Sequence, residues 1–153
     1  MFVTIIADAS FCPDLKVAGY GFWAVSDRGR LRGGGAISTK VETNVTAEAY
    51  AMCNALHEAL LGGVVCSGDS VLIQSDCIGA IQCLGAQRTR LNNQEQCALD
   101  YKESLELSFG LRITFKHVKG HTNRKEARFK SNNICDFRAK QGLALARMNR
   151  RKL

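Results

Sequence analysis

The chain has 153 residues, 46% of them hydrophobic and 23% charged, which suits one domain with a buried core and excludes a disordered segment. No apolar run reaches the roughly 18–20 residues of a membrane span, and the opening residues lack the basic start of a secretory signal, so the chain is expected in the cytoplasm with no membrane partner. The net charge of +7 is lopsided: residues 112–152 hold 13 Lys/Arg against two acids, a net of +11, whereas the remainder holds eight against 12, a net of −4. A basic C-terminal third is the electrostatic footprint of a polyanion such as nucleic acid.

Residues 2–7 alternate weakly and read as a strand ending at Asp8, with a loop over 9–16 that contains Pro13. Residues 17–25 read as a second strand. Ser26-Asp27-Arg28-Gly29 makes a hairpin turn into a third, near 31–38, whose Gly33-Gly34-Gly35 run blurs its start. From Thr46, a candidate cap, the period becomes helical until Gly62-Gly63 stops it. Residues 71–75 form a short buried strand running into Asp76. Helices are expected over 78–84 and about 93–107, a fifth strand over 111–118, and a last helix over 133–148. The order β-β-β-α-β-α-α-β-α predicts an α/β fold with a mixed five-stranded sheet, three antiparallel strands then two parallel ones, flanked by helices. With no repeat or linker, residues 1–153 read as a single domain with a basic tail from about 147.

Carboxylates fall at the end of the first strand (Asp8), in the first turn of the first helix (Glu48) and just past the fourth strand (Asp76). Sites in such sheets gather at the carboxyl ends of strands. Asp136 is an acid inside the basic third. Each acid alone reads equally as a turn or helix cap. The seven cysteines are scattered, none in a C-x-x-C, and read as small buried hydrophobes in a reducing compartment rather than a metal or redox site.

Ile6-Ala7-Asp8-Ala9-Ser10 followed by Gly19-Tyr20-Gly21, then Thr43-Asn44-Val45-Thr46-Ala47-Glu48-Ala49-Tyr50-Ala51, Ser75-Asp76, His117-Val118-Lys119-Gly120-His121 and Asn133-Ile134-Cys135-Asp136-Phe137-Arg138-Ala139-Lys140 together resemble the ribonuclease H family. Each motif is short, but five in order and spacing, from about 5 to 146, make the resemblance specific. It implies a ribonuclease H-like fold and a metal-dependent endonuclease cutting the RNA strand of an RNA–DNA hybrid. It implies two Mg²⁺ ions, with Mn²⁺ as substitute and no organic cofactor: Asp8 bridging both, Glu48 and Asp76 completing one, Asp136 the other. Oxygen ligands from converging carboxylates suit such hard cations, and their mutual repulsion should raise at least one pKa without metal.

The resemblance further implies that His121 assists proton transfer or product release. His117, four residues earlier, is a weak candidate for a metal pair with it, and His57 reads as a helix-surface residue. Lys119, Arg124, Lys125, Arg128 and Lys130 are candidate phosphate contacts, and Ser10, Asn44 and the main chain around Phe11 and Cys12 candidate contacts to the nucleic acid. Two departures from the family concern substrate choice. The basic protrusion of many bacterial members is missing, for residues 77–110 hold only Arg88, Arg90 and Lys102 as bases. Where the family commonly places polar residues near the 2′-hydroxyl, this chain has Val45 and Ile78. A DNA endonuclease of the junction-resolving type, acting on branched or duplex DNA, is therefore the alternative, and a non-catalytic nucleic-acid-binding module the third reading.

Overall fold

The computed structural model describes residues 1–119 and 127–151, with side chains over 1–119 and 134–149. Five strands form one sheet in the order β3-β2-β1-β4-β5. β1 (Phe2–Cys12), β2 (Val17–Ser26) and β3 (Gly29–Ala36) pair antiparallel through tight turns, while β4 (Ser70–Ser75) and β5 (Arg112–His117) join parallel to β1 and to each other. Helices α1 (Asn44–Leu61), α2 (Ile78–Leu84), α3 (Asn93–Phe109) and α4 (Ala127–Arg151) complete the order, as the sequence predicts. Among the described residues no helix is long and apolar enough to cross a membrane.

One face of the sheet is covered by α1 through ordinary apolar burial. Alternation along the strands puts Val3, Ile5 and Ala7 of β1, Phe22 and Ala24 of β2, and Val71 and Ile73 of β4 against Met52, Ala55 and Leu56. The other face receives α4, and there the fit is backbone against backbone. A Cβ on Gly21 would lie 2.3 Å from the Cys135 carbonyl oxygen, and one on Gly19 2.0 Å from the Leu143 nitrogen. The Gly19-Tyr20-Gly21 motif thus exists to let a helix lie directly on the strand.

Several boundaries differ from the sequence reading, most of all in β1, α1, β3 and α4. β1 does not stop at Asp8 but runs to Cys12, because the hairpin with β2 continues through Cys12↔Val17. The expected loop over 9–16 therefore shrinks to a four-residue turn. The cap of α1 is Thr43, whose hydroxyl accepts the Thr46 N–H at 3.1 Å, so Glu48 sits in the second turn rather than the first. β3 begins at Gly29 and ends at Ala36, two residues earlier than expected at each end. α4 outruns the expected 133–148 at both ends. Strand pairing overrides local pattern for β1 and β3, and a cap one turn away does so for α1.

Candidate active site

β1 and β4 are parallel neighbours only as far as Ile6↔Gln74. Past that point β1 continues beside β2 alone, and Asp8 projects where its β4 neighbour ends. Asp8 is opposite Gly21, hence on the α4 side of the sheet. Glu48 reaches the same point from α1, and Asp76 follows the last residue of β4. Ligand oxygens of Asp8, Glu48 and Asp76 lie within 4.8 Å of one another. Asp136, held by α4, joins them in lining an open cavity of about 510 Å³, together with Ala9, Asn44, Cys77, Ile78 and His117. The Lys140 ammonium stands 3.1 Å from Asp136, the cation nearest this acid group in the described ion pairs.

Asp8 is 2% exposed and Glu48 5%, so neither is solvated like a surface acid. Asp8 Oδ1 accepts the Ala9 N–H at 3.0 Å, but Asp8 Oδ2 and Glu48 Oε2 are buried and have no hydrogen-bond donor among the described residues. Burial first, then the charges of Asp76 and Asp136, push the Asp8 carboxyl up to about 8, and a hydrogen bond with Asp136 favours the protonated form. Burial, then the charges of Asp8 and Asp76, hold the Glu48 carboxyl well above the usual range. Buried carboxylate oxygens without donors are costly unless a cation meets them. An all-oxygen set of this kind fits a hard divalent cation such as Mg²⁺ or Mn²⁺ and not a thiolate-type zinc site.

The four acids named from sequence are thus gathered at one place, three in a tight group and Asp136 beside it. Asn44 is exposed on the cavity rim. Ser10 and Phe11 lie half-buried farther along β1, outside the cavity lining, and the Cys12 side chain is buried, which leaves its main chain as the available part. Lys119 is exposed just past β5. His121, Arg124 and Lys125 lie outside the described residues. Arg128 and Lys130 fall on the backbone of α4, their side chains outside the described ones. His57 is exposed on α1 and meets the Tyr101 hydroxyl at 2.7 Å.

Sequence reasoning underrated His117. It read the residue as half of a weak histidine pair, whereas its ring lines the acid cavity and its Nε2 lies 3.2 Å from the Asp76 carbonyl oxygen. The signal was the parallel register of β4 and β5, which sets Ser75 opposite His117 and so brings the ring level with Asp76.

The sequence model of the RNase H family matches residues 2–144. No curated protein sequence matches the chain. Among solved structures, the N-terminal RNase H domain of a Mycobacterium tuberculosis protein superposes with a TM-score of 0.73 at 19% identity, over 97% of each chain. RNase H1 from the halophilic archaeon Halobacterium salinarum gives 0.72 at 20% identity, over 94% of this chain and 98% of that one. An RNase H1 isolated from compost, solved in complex with an RNA/DNA hybrid, gives 0.69 at 15% identity, over 92% and 99%. At these identities the structures speak for the fold, and the family match speaks for descent: the chain belongs to the RNase H family of hydrolases.

Proposed function

We propose that the chain is an endonuclease that hydrolyses the RNA strand of an RNA–DNA hybrid, with two divalent cations, Mg²⁺ or Mn²⁺ in its place, held by Asp8, Glu48, Asp76 and Asp136. The observation that carries this is the group of three carboxylates with two buried oxygens that lack donors among the described residues. When bound, such ions activate a water and stabilise the leaving oxygen of an in-line displacement at phosphorus. The chain's own residues prepare the place. The Ala9 N–H orients Asp8, the buried start of α1 delivers Glu48, and the Lys140 ammonium offsets part of the charge on Asp136.

Asn44 on the rim offers both a donor and an acceptor to a sugar or phosphate. We assign His121 to proton transfer or product release. Phosphate contacts go to Lys119, Arg124, Lys125, Arg128 and Lys130, with Ser10 and the main chain at Phe11 and Cys12 beside the scissile strand. The fold shared with an RNase H1 that binds an RNA/DNA hybrid supports the hybrid as substrate.

A second reading, a structure-specific DNA endonuclease, is favoured by one feature. Ile78 is 54% exposed and lines the cavity, and neither it nor half-buried Val45 offers a hydrogen bond to a 2′-hydroxyl. Incubation with Mg²⁺ or Mn²⁺ and labelled hybrid, duplex DNA and a four-way junction separates the readings. Cleavage of the RNA strand of the hybrid alone is the expected result. Junction cleavage would favour the DNA enzyme, and binding without cleavage in either metal would overturn both in favour of a binding module.

A further inference from the structure

β5 is an edge strand, and its pairing with β4 ends at Ser75↔His117. One bond further, the Val118 N–H donates to the Ser75 carbonyl at 2.9 Å. The next carbonyl along β4, that of Asp76, lies past the ladder, and there the His117 ring takes over: Nε2 stands 3.2 Å from the Asp76 oxygen. A carbonyl only accepts, so Nε2 carries the hydrogen in this contact. On the far side of Asp76, the Cys77 N–H donates to Ser75 Oγ at 3.2 Å, and the Cys77 carbonyl accepts the Ile81 N–H at 3.2 Å as α2 begins. The main chain around Asp76 is therefore pinned at consecutive peptide groups. Strand, turn and helix geometry supply the other bonds, while the Asp76 carbonyl itself is met by a side chain from another strand.

Resting on the metal-binding reading above, we propose that His117 is a positioning residue for Asp76: its Nε2–H fixes the peptide that keeps the Asp76 carboxylate turned toward Asp8 and Glu48, and so sets the divalent-cation affinity of the site. Groups that orient a metal ligand without touching the metal are typically worth about 10–100-fold in affinity. His117 also faces the open cavity, so contact with nucleic acid is the competing role, and the two roles differ in what they change. A positioning residue acts on ion binding in the absence of nucleic acid. A substrate contact acts on KM.

The test is Mn²⁺ binding to the metal-free chain, followed by electron paramagnetic resonance without nucleic acid, with melting by circular dichroism to verify that each variant folds. His117→Ala should weaken Mn²⁺ binding about 10-fold. His117→Phe, which keeps the ring but has no donor, should match it, and His117→Gln, which keeps an N–H, should recover most of the loss. In hybrid cleavage the half-saturating metal concentration should rise by a similar factor while KM stays put. Mn²⁺ affinity unchanged in both the Ala and Phe variants overturns the inference, as does a raised KM at unchanged affinity. If the parent chain bound no Mn²⁺, or bound it equally well with Asp8→Asn, the carboxylate site itself would be misread and this inference would go with it.

Discussion

Two buried aspartates stand at opposite ends of the sheet and are treated in opposite ways. Asp69, just before β4, is 1% exposed; Asp8, inside β1, is 2% exposed. Asp69 receives two bonds from the Arg28 guanidinium, at 2.6 and 2.9 Å, and the Cys66 N–H at 2.8 Å. The hydrogen bonds from Arg28 hold its carboxyl well below the usual carboxylate range, against the opposing effect of burial. Asp8 receives one N–H, stands among three further acids and is pushed up to about 8, by burial first. Equal burial with opposite electrostatics separates a carboxylate that an arginine ties into the fold from one set among other acids. Asp69 joins the β2–β3 turn to the start of β4, whereas Asp8 lies on β1 just past its last pairing with β4.

The largest effect that would sharpen this contrast is on activity. Asp8→Asn should lower hybrid cleavage by at least about 1000-fold, as befits the loss of a ligand that stabilises transition-state charge. It should also leave the metal-free protein no less stable at pH 8.5. Cleavage by the folded variant near the parent rate would break the assignment. Asp69→Asn should do the reverse. Its melting temperature should fall by about 5–10 °C, the usual result of leaving half of an ion pair behind. The cleavage rate per folded molecule should not move.

A subtler difference lies in pH. The Asp8 carboxyl titrates higher in the folded chain than in the unfolded one, so its contribution is present at acid pH and is lost as pH rises through about 8. Asp69 is shifted the other way, so its contribution is present at neutral pH and is lost only in strong acid, as pH falls through its lowered value. In EDTA, the melting temperature should therefore decline from about pH 5 to about pH 8 and level off above, and Asp8→Asn should make that decline shallower. Mg²⁺ at 100 times its dissociation constant should restore about 2.7 kcal/mol. At one fixed Mg²⁺ concentration the restoration should be greater at pH 9 than at pH 6, because protons compete for the same oxygens. A melting curve in EDTA that is flat from about pH 5 to about pH 8 would show that the Asp8 carboxyl is not raised in the folded chain.

Much of this was legible in the residues. The change from period two to helical period at Thr46, the run of 71–75 into Asp76 and the acid set among bases at Asp136 led to the observed elements and to acids that the fold gathers around one cavity. What sequence could not supply was relative strand length. Asp8 looks like a strand end because its functional setting is an end, but the strand that ends there is β4, its neighbour. The pattern Gly19-Tyr20-Gly21 was visible as a motif, yet its reason, contact with the backbone of α4 near Cys135, spans more than a hundred residues. His117 was undervalued because its meaning depends on a parallel register, and parallel pairing leaves no local trace in either strand. The Thr43 cap lost to Thr46 in the sequence reading because both hydroxyls suit the role, and the structure uses Thr43.

The uneven strand lengths have a further consequence. Beyond Ile6↔Gln74 and Ser75↔His117 the sheet has a notch, where β4 and β5 have stopped while β1 runs on beside β2. A notch is defined by what is missing, so no single side-chain substitution abolishes it. Extending β4 by a two-residue repeat before Asp76 would fill it with backbone, carry Asp76 along the strand axis by about 6–7 Å and bury Asp8 in a continuous ladder. The site is in this sense an architectural vacancy furnished with acids, and its location is written in where β4 stops.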